Sequence, residues 1–105
     1  MTMVEPKGRK VAFLREAVRT LELDHVHVVP VQVENLGPEF RASADLATIR
    51  AVRMDDVVVR GLCELLRYDA LLMSFGAQEG TLKGFEPFRD LRLPGDSTLR
   101  LYRRL

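Results

Sequence analysis

The residues with the clearest chemical meaning stand at the start of the chain. Thr2-Met3-Val4-Glu5 reads as the end of a buried strand closed by an acid, and Pro6-Lys7-Gly8-Arg9-Lys10-Val11-Ala12-Phe13-Leu14-Arg15 opens a basic amphipathic helix. A strand, an acid at its tip and a following helix make the second half of a nucleotide-binding βαβ unit. In such units the acid holds ribose hydroxyls and follows a glycine-rich loop by about 20 residues. Glu5 has no such loop before it in this sequence. On position alone, the plainer reading of Glu5 is a surface acid stabilised by the positive end of a helix dipole.

Other reactive residue types carry weaker signals. His25 and His27 fall on one side of an expected strand and could share a metal, but a zinc site needs three or four ligands and no third stands at a neighbouring spacing. Asp55 and Asp56 suit the first turn of a helix, where acids complement the dipole, better than paired acid–base work. Cys63 falls within that helix and reads as a packed thiol rather than a nucleophile. Arg103-Arg104 reads as a solubilising pair, with phosphate contact as the alternative. No Ser-His-Asp or Cys-His arrangement emerges, and Gly76-Ala77-Gln78-Glu79-Gly80 lacks the lysine and hydroxyl residue of a phosphate-binding Walker loop.

The elements that must position these residues follow from periodicity. Val11, Leu14, Val18 and Leu21 form a helical stripe, which places a helix over 6–22 with Pro6 in its first turn. His25 to Val31 alternates and is rich in β-branched residues, so it reads as a strand, with Pro30 near its exit. Ala44 to Ile49 is a second short strand ending at Arg50. Met54, Val58, Leu62 and Leu65 mark a second helix, and Ala70 to Phe75 is a continuous apolar run suited to a central strand. Gly76 to Gly84 is a loop, and Phe88–Leu93 with Thr98–Tyr102 flank the turn Pro94-Gly95-Asp96-Ser97 as a closing hairpin. The order is β-α-β-β-α-β-β-β, with parallel pairing across the helices and an antiparallel edge.

Composition narrows the function classes. The chain has 105 residues, 47% hydrophobic and 30% charged, the profile of one modest globular domain. Sixteen Lys+Arg against fifteen Asp+Glu leave a net charge of +1, which gives no global reason to bind nucleic acid or an anionic membrane. No apolar run approaches the roughly 18 residues of a membrane span. The lone Cys63 makes no internal disulfide, and a reduced, cytoplasmic setting is expected.

At this point the residues resemble a known family. Val4-Glu5 with Arg9-Lys10-Val11-Ala12-Phe13-Leu14-Arg15-Glu16-Ala17-Val18, then Asp45-Leu46-Ala47-Thr48-Ile49-Arg50-Ala51-Val52, then Leu93-Pro94-Gly95-Asp96 and the basic end at Tyr102-Arg103-Arg104, are similar to the latter part of glucose-inhibited division protein B. That family methylates guanine N7 in small-subunit (16S) ribosomal RNA with S-adenosylmethionine. The resemblance implies a truncated Rossmann-like S-adenosylmethionine-dependent methyltransferase fold, a mostly parallel sheet with a C-terminal antiparallel hairpin. Residues 1–105 would form a single partial domain.

By the same resemblance Glu5 would hold the cofactor ribose, and Val33-Glu34 falls where the family has a small residue and a glutamate at the adenine end. Arg50 falls where the family has an arginine at the cofactor and substrate site, suited to a carboxylate or an RNA phosphate. No residue is assigned a catalytic or metal-binding role.

The chain also departs from the family pattern. The first strand and glycine-rich loop are missing, Phe75 stands where a lysine usually precedes Gly76, and Tyr68-Asp69 replaces a Gly-Gly turn. The family strand order 3-2-1-4-5-7-6 puts the missing strand at the centre of the sheet. The second and fourth strands are therefore expected to close up directly, or a second copy to pair with an exposed strand edge as a homodimer. The expected function is ribosomal RNA methylation, weak or absent in this chain alone. The alternative is a non-catalytic interaction or dimerisation module.

Overall fold

A computed structural model describes residues 1–50, 52–76 and 81–105. Ala51 of the Asp45–Val52 motif, and positions 77–80 of the expected loop, lie outside the described residues. The elements are β1 (Thr2–Val4), α1 (Gly8–Thr20), β2 (His27–Val29), β3 (Ala44–Arg50), α2 (Asp56–Leu65), β4 (Leu66–Phe75), β5 (Phe85–Arg92) and β6 (Thr98–Arg104), with 3₁₀ turns at Val33–Asn35 and Pro38–Phe40. This is the order that periodicity predicts. The chain divides into two compact units, Met1–Leu36 and Gly37–Leu105.

In the first unit β1 and β2 pair in parallel, with Thr2 opposite His27 and Val4 opposite Val29. α1 buries Val11 and half-buries Leu14, Ala17 and Val18, as its stripe requires. It is shorter than the expected 6–22. Lys7, extended at φ −84° and ψ 119°, is its N-cap, so Pro6 lies outside the first turn. At the other end Glu22 adopts φ +52°, its N–H bonds the Arg19 carbonyl, and the Leu23 N–H bonds that of Val18 at 3.0 Å. This paired closure ends the helix as a Schellman motif. Leu21 has by then left the stripe and is 66% exposed.

β2 is likewise shorter than the expected strand over 25–31. His25 sits at φ +63°, outside the extended region, and the Val31 N–H folds back onto the Val29 carbonyl at 3.0 Å. His25 and His27 therefore do not share one side of a strand.

In the second unit the strand order is β3-β4-β6-β5. β3 and β4 are parallel, and β6 pairs antiparallel with both β4 and β5. Asp55 caps α2: its Oδ1 accepts the Val58 N–H at 2.9 Å. Met54, expected within the helix, precedes this cap. β4 starts at Leu66, directly after α2, rather than at Ala70. Its pairing with β3 jumps from Ala44–Leu66 to Leu46–Leu71, so the residues between bulge out, and Asp69 takes φ +62°. The bulge falls where the family pattern has two glycines. Aspartate is among the few other residues that tolerate this left-handed conformation. The core of the unit gathers Val59, Leu62, Leu66, Ala70, Leu72, Phe85 and Tyr102, with the Phe85 and Tyr102 rings edge-on at 6.3 Å.

The sheet orders agree with the methyltransferase pattern: β1 and β2 form its 2–3 half, and β3-β4-β6-β5 its 4-5-7-6 half. The expected direct closure is not formed. Among the described residues β1 pairs with β2 alone and β3 with β4 alone. Four of the seven β3 residues, Asp45, Leu46, Thr48 and Arg50, are exposed.

Candidate functional site

Parallel pairing sends the carboxyl ends of paired strands to one edge, where ligands bind in open α/β sheets. In the first unit this edge carries Glu5 after β1 and the Val33–Asn35 turn after β2. The second unit has its own such edge, with Arg50 at the end of β3 and Phe75-Gly76 at the end of β4.

Glu5 is half-buried. Its N–H donates to the Val29 carbonyl at 3.1 Å, which extends the β1–β2 pairing by one residue and fixes the backbone. Its Oε1 accepts the Lys7 N–H at 3.1 Å. A carboxylate offers about four lone-pair sites, so most of its accepting capacity is left for another donor.

Val33 and Glu34 are half-buried in a turn closed by the Asn35 N–H on the Gln32 carbonyl at 2.9 Å. The Glu34 Oε2 atom is buried and has no hydrogen-bond partner among the described residues. Leaving such an acceptor unpaired costs about 1–3 kcal/mol, and more when it is charged. A donor arriving at this atom would recover that energy.

Arg50 is exposed, and its guanidinium carbon lies 6.0 Å from the centre of the Phe75 ring. The two residues are cross-strand partners. The stack holds the cation at the sheet edge by roughly 0.5–1 kcal/mol, as at other exposed sites. Sequence reasoning noted Phe75 as a departure and missed this role. Its signal was the equal distance of Arg50 and Phe75 from the ends of adjacent strands.

These groups can accept from hydroxyl or amino donors and can fork onto a carboxylate or phosphate. They include no nucleophile. Cys63 is no substitute: burial pushes its thiol up, the nearby Arg104 charge opposes this less strongly, and its Sγ lies 3.5 Å from the Lys83 carbonyl oxygen. A raised thiol is a poor source of thiolate.

The C-terminal arginines are built into the sheet rather than serving as a solubilising pair. The Arg104 Nε donates to the Cys63 carbonyl at 3.0 Å, and its guanidinium stacks 5.4 Å from the Tyr68 ring centre. Arg103 stacks 5.2 Å from that of Phe88. The basic residues of α1 (Arg9, Lys10, Arg15, Arg19) are exposed, and Arg19 pairs with Glu16, its Nε donating at 3.1 Å.

Residues 1–83 match the family model described as rRNA small subunit methyltransferase G, GidB. The chain is 31% identical to the ribosomal RNA small subunit methyltransferase G of Neisseria gonorrhoeae over 106 aligned positions, covering all of this chain and 46% of that protein. It is 32% identical to the enzyme of the same name from Leuconostoc mesenteroides, covering 96% of this chain and 40% of that one. The chain thus spans less than half the length of these relatives. Among solved structures it is similar to a SAM-dependent methyltransferase from Aquifex aeolicus, with TM-score 0.81, 13% identity, and coverage of 99% of this chain and 68% of that one. It is also similar to the antibiotic-resistance methyltransferase Kmr, with TM-score 0.74, 15% identity, and coverage of 99% and 74%. At these identities the structures speak for the fold, which is that of the SAM-dependent methyltransferases, while the match over residues 1–83 shows that the chain belongs to the rRNA small subunit methyltransferase G family.

Proposed function

We propose that this chain is part of an S-adenosylmethionine-dependent methyltransferase acting on guanine N7 of small-subunit ribosomal RNA. By the family resemblance its cofactor-binding residues are Glu5, Val33 and Glu34 in the first unit and Arg50 in the second. The observation that carries this reading is the buried, unpartnered Glu34 Oε2 in the turn after β2, with Glu5 at the tip of the paired strand. Adenosine presents ribose hydroxyl and exocyclic amino donors, and the two carboxylates offer matching acceptors. Val33 adds apolar surface beside the base. The planar fork of Arg50 suits the cofactor carboxylate or an RNA phosphate.

Bound S-adenosylmethionine supplies an electrophilic methyl group on a sulfonium. The protein's part is to hold that centre in line with the base nitrogen, which is catalysis by proximity and orientation and asks for no general acid. These residues account for the adenosine half of the cofactor. The sequence holds no glycine-rich loop for the methionine half, so this chain alone binds weakly and turns over poorly. No helix among the described residues is long and apolar enough to cross a membrane, and a ribosomal RNA substrate fits a cytoplasmic setting.

A titration of the isotopically labelled chain with S-adenosylhomocysteine tests the site. Amide shifts are expected at Glu5–Lys7 and Val33–Leu36, with a dissociation constant of about 1 mM. Glu34→Ala weakens that binding severalfold. Micromolar binding would overturn the expectation of a weak site. Silence of both segments at about 10 mM ligand would overturn the site itself.

The edges of β1 and β3, without a further strand partner among the described residues, support a second reading, a non-catalytic module that dimerises through strand pairing. A clean monomer by light scattering at high concentration would exclude it.

A further inference from the structure

The bulge at the start of β4 carries three polar or aromatic side chains in a row, Arg67, Tyr68 and Asp69, and all three are exposed. Tyr68 is 81% exposed. Its ring is nonetheless backed. The Arg104 guanidinium lies 5.4 Å from the ring centre, and Arg104 is itself tied to α2 through its Nε on the Cys63 carbonyl at 3.0 Å. The ring therefore stands on the α2 side of the sheet, with a fixed cation against it and the rest of its surface open. A cation over the face of a tyrosine ring is attracted by the ring quadrupole, which helps to hold the ring in place.

With Ala42, Asp45 and Ala70, the three bulge residues line an open recess of about 680 Å³. Arg67 forms an ion pair with Asp45. The Asp69 carboxylate forms none with a described residue, so both of its oxygens are free to accept. The family pattern has two glycines where Tyr68 and Asp69 stand. Both side chains are therefore additions of this chain and no part of the shared cofactor site. They lie at the opposite end of β4 from Phe75, roughly 20 Å away at a rise near 3.3 Å per residue.

We propose that the Tyr68–Asp69 bulge docks one unpaired guanine nucleotide of an RNA. Unpaired bases are read by stacking on aromatic rings and by hydrogen bonds to their Watson–Crick edges. Tyr68 supplies the ring. Guanine presents two adjacent donors on that edge, N1–H and the N2 amino group, and the free Asp69 carboxylate offers two acceptors to meet them. Arg67, beside them in the recess, suits the nucleotide's phosphate. A protein partner finds little to grip, because Ala42 and Ala70 offer too little apolar surface to form an anchor pocket. The proposal rests on the reading above that the substrate is RNA. It adds a second hold on that RNA, remote from the edge where the methyl group is transferred. One local contact of this kind is compatible with a net charge of only +1, since stacking supplies much of the affinity.

The chain has two tyrosines, and Tyr102 is 0% exposed, so tyrosine-labelled protein carries one reporter and one internal control. Three RNA hairpins with the same stem serve as probes: one with a single unpaired guanine, one with an unpaired adenine, and one fully paired. The guanine hairpin should move the Tyr68 ring protons upfield, leave those of Tyr102 in place, and bind about tenfold tighter than the paired hairpin. Tyr68→Leu should remove that preference and Tyr68→Phe should keep it. Asp69→Asn, which still tolerates the left-handed backbone, should bring guanine down to the level of adenine. Equal binding of paired and unpaired hairpins would overturn the proposal, as would a Tyr68 ring that no RNA shifts. So would a guanine preference that survives Asp69→Asn, or guanosine monophosphate alone binding as tightly as the hairpin. No cofactor enters this assay, so its failure is distinct from failure of the S-adenosylhomocysteine titration.

Discussion

Replacing Gly84 by alanine probes how α2 is seated on its sheet. Gly84 adopts φ +87°, and a Cβ placed there would lie 2.7 Å from the Cys63 Sγ. The backbone is held on both sides, so relief has to come from the Cys63 side chain. The Gly84 carbonyl accepts the Leu105 N–H at 2.9 Å, and the Cys63 carbonyl accepts the Arg104 Nε at 3.0 Å. Two costs follow. Holding an alanine in the left-handed region costs about 1–2 kcal/mol. Forcing an extra carbon against a packed sulfur costs about 1–3 kcal/mol. The two are separable, because Cys63→Ala removes the sulfur and leaves the backbone conformation. Urea unfolding followed by circular dichroism should show Gly84→Ala costing about 2–5 kcal/mol in the natural chain. In the Cys63→Ala background the cost should fall to about 1–2 kcal/mol. If Gly84→Ala alone has no native baseline, the double variant should regain one. Equal costs in the two backgrounds, or a cost under about 0.5 kcal/mol, would refute the packing argument.

Asp55→Ala removes the carboxylate that caps α2 at the Val58 N–H and should cost about 1 kcal/mol in the same assay, while Asp55→Asn should be nearly neutral. The acid limb of the stability curve should depend on Asp90, whose carboxyl is held below its ordinary value mainly by hydrogen bonds from Arg100, at 2.7 and 2.9 Å. A carboxyl lowered in the folded state adds stability above its unfolded pKa, near 3.9, and loses it as pH falls through the folded value. The urea midpoint of Asp90→Asn should therefore lie below that of the natural chain above about pH 4, with the gap closing on further acidification. A gap that widens toward pH 2 would contradict this.

The order of elements was legible because two periods suffice for it. The Val11–Leu14–Val18 spacing and the Ala70–Phe75 run each admit one reading. Boundaries were less legible because they depend on local hydrogen bonds that no periodicity encodes. α1 stops where Glu22, an unremarkable residue in sequence, accepts φ +52°. β4 begins early because Asp69 turns a bulge rather than breaking the strand. Among the candidate residues, Glu5 could be placed from sequence because a strand tip is a position. The isolation of Glu34 Oε2 could not, since burial and the lack of a partner arise only once the Val33–Asn35 turn has folded. The facing of the β4 residues was hidden for a related reason. Leu71 and Leu72 read alike in an apolar run, and only pairing to β6 assigns them to opposite faces.

The residue that departs most plainly from the family pattern in the second unit also shows how the site tolerates the change. A lysine at position 75 would place a second cation directly across from Arg50, and like charges on cross-strand partners are destabilising. Such a pair is useful when two cations must meet an anion together, and its repulsion is relieved by that ligand. Phe75 removes the repulsion and supplies a ring for Arg50 to lie against. The surviving arginine is then pre-positioned without a ligand, which lowers the cost of ordering it on binding. The price is one charge fewer at this edge, so an anion held here gains less from Coulomb attraction than from the geometry of a single guanidinium fork. A site built this way favours a planar carboxylate or one phosphate over a run of RNA phosphates. Replacing the ring, Phe75→Leu, should therefore free the Arg50 side chain and weaken its hold on a carboxylate more than on a chain of phosphates.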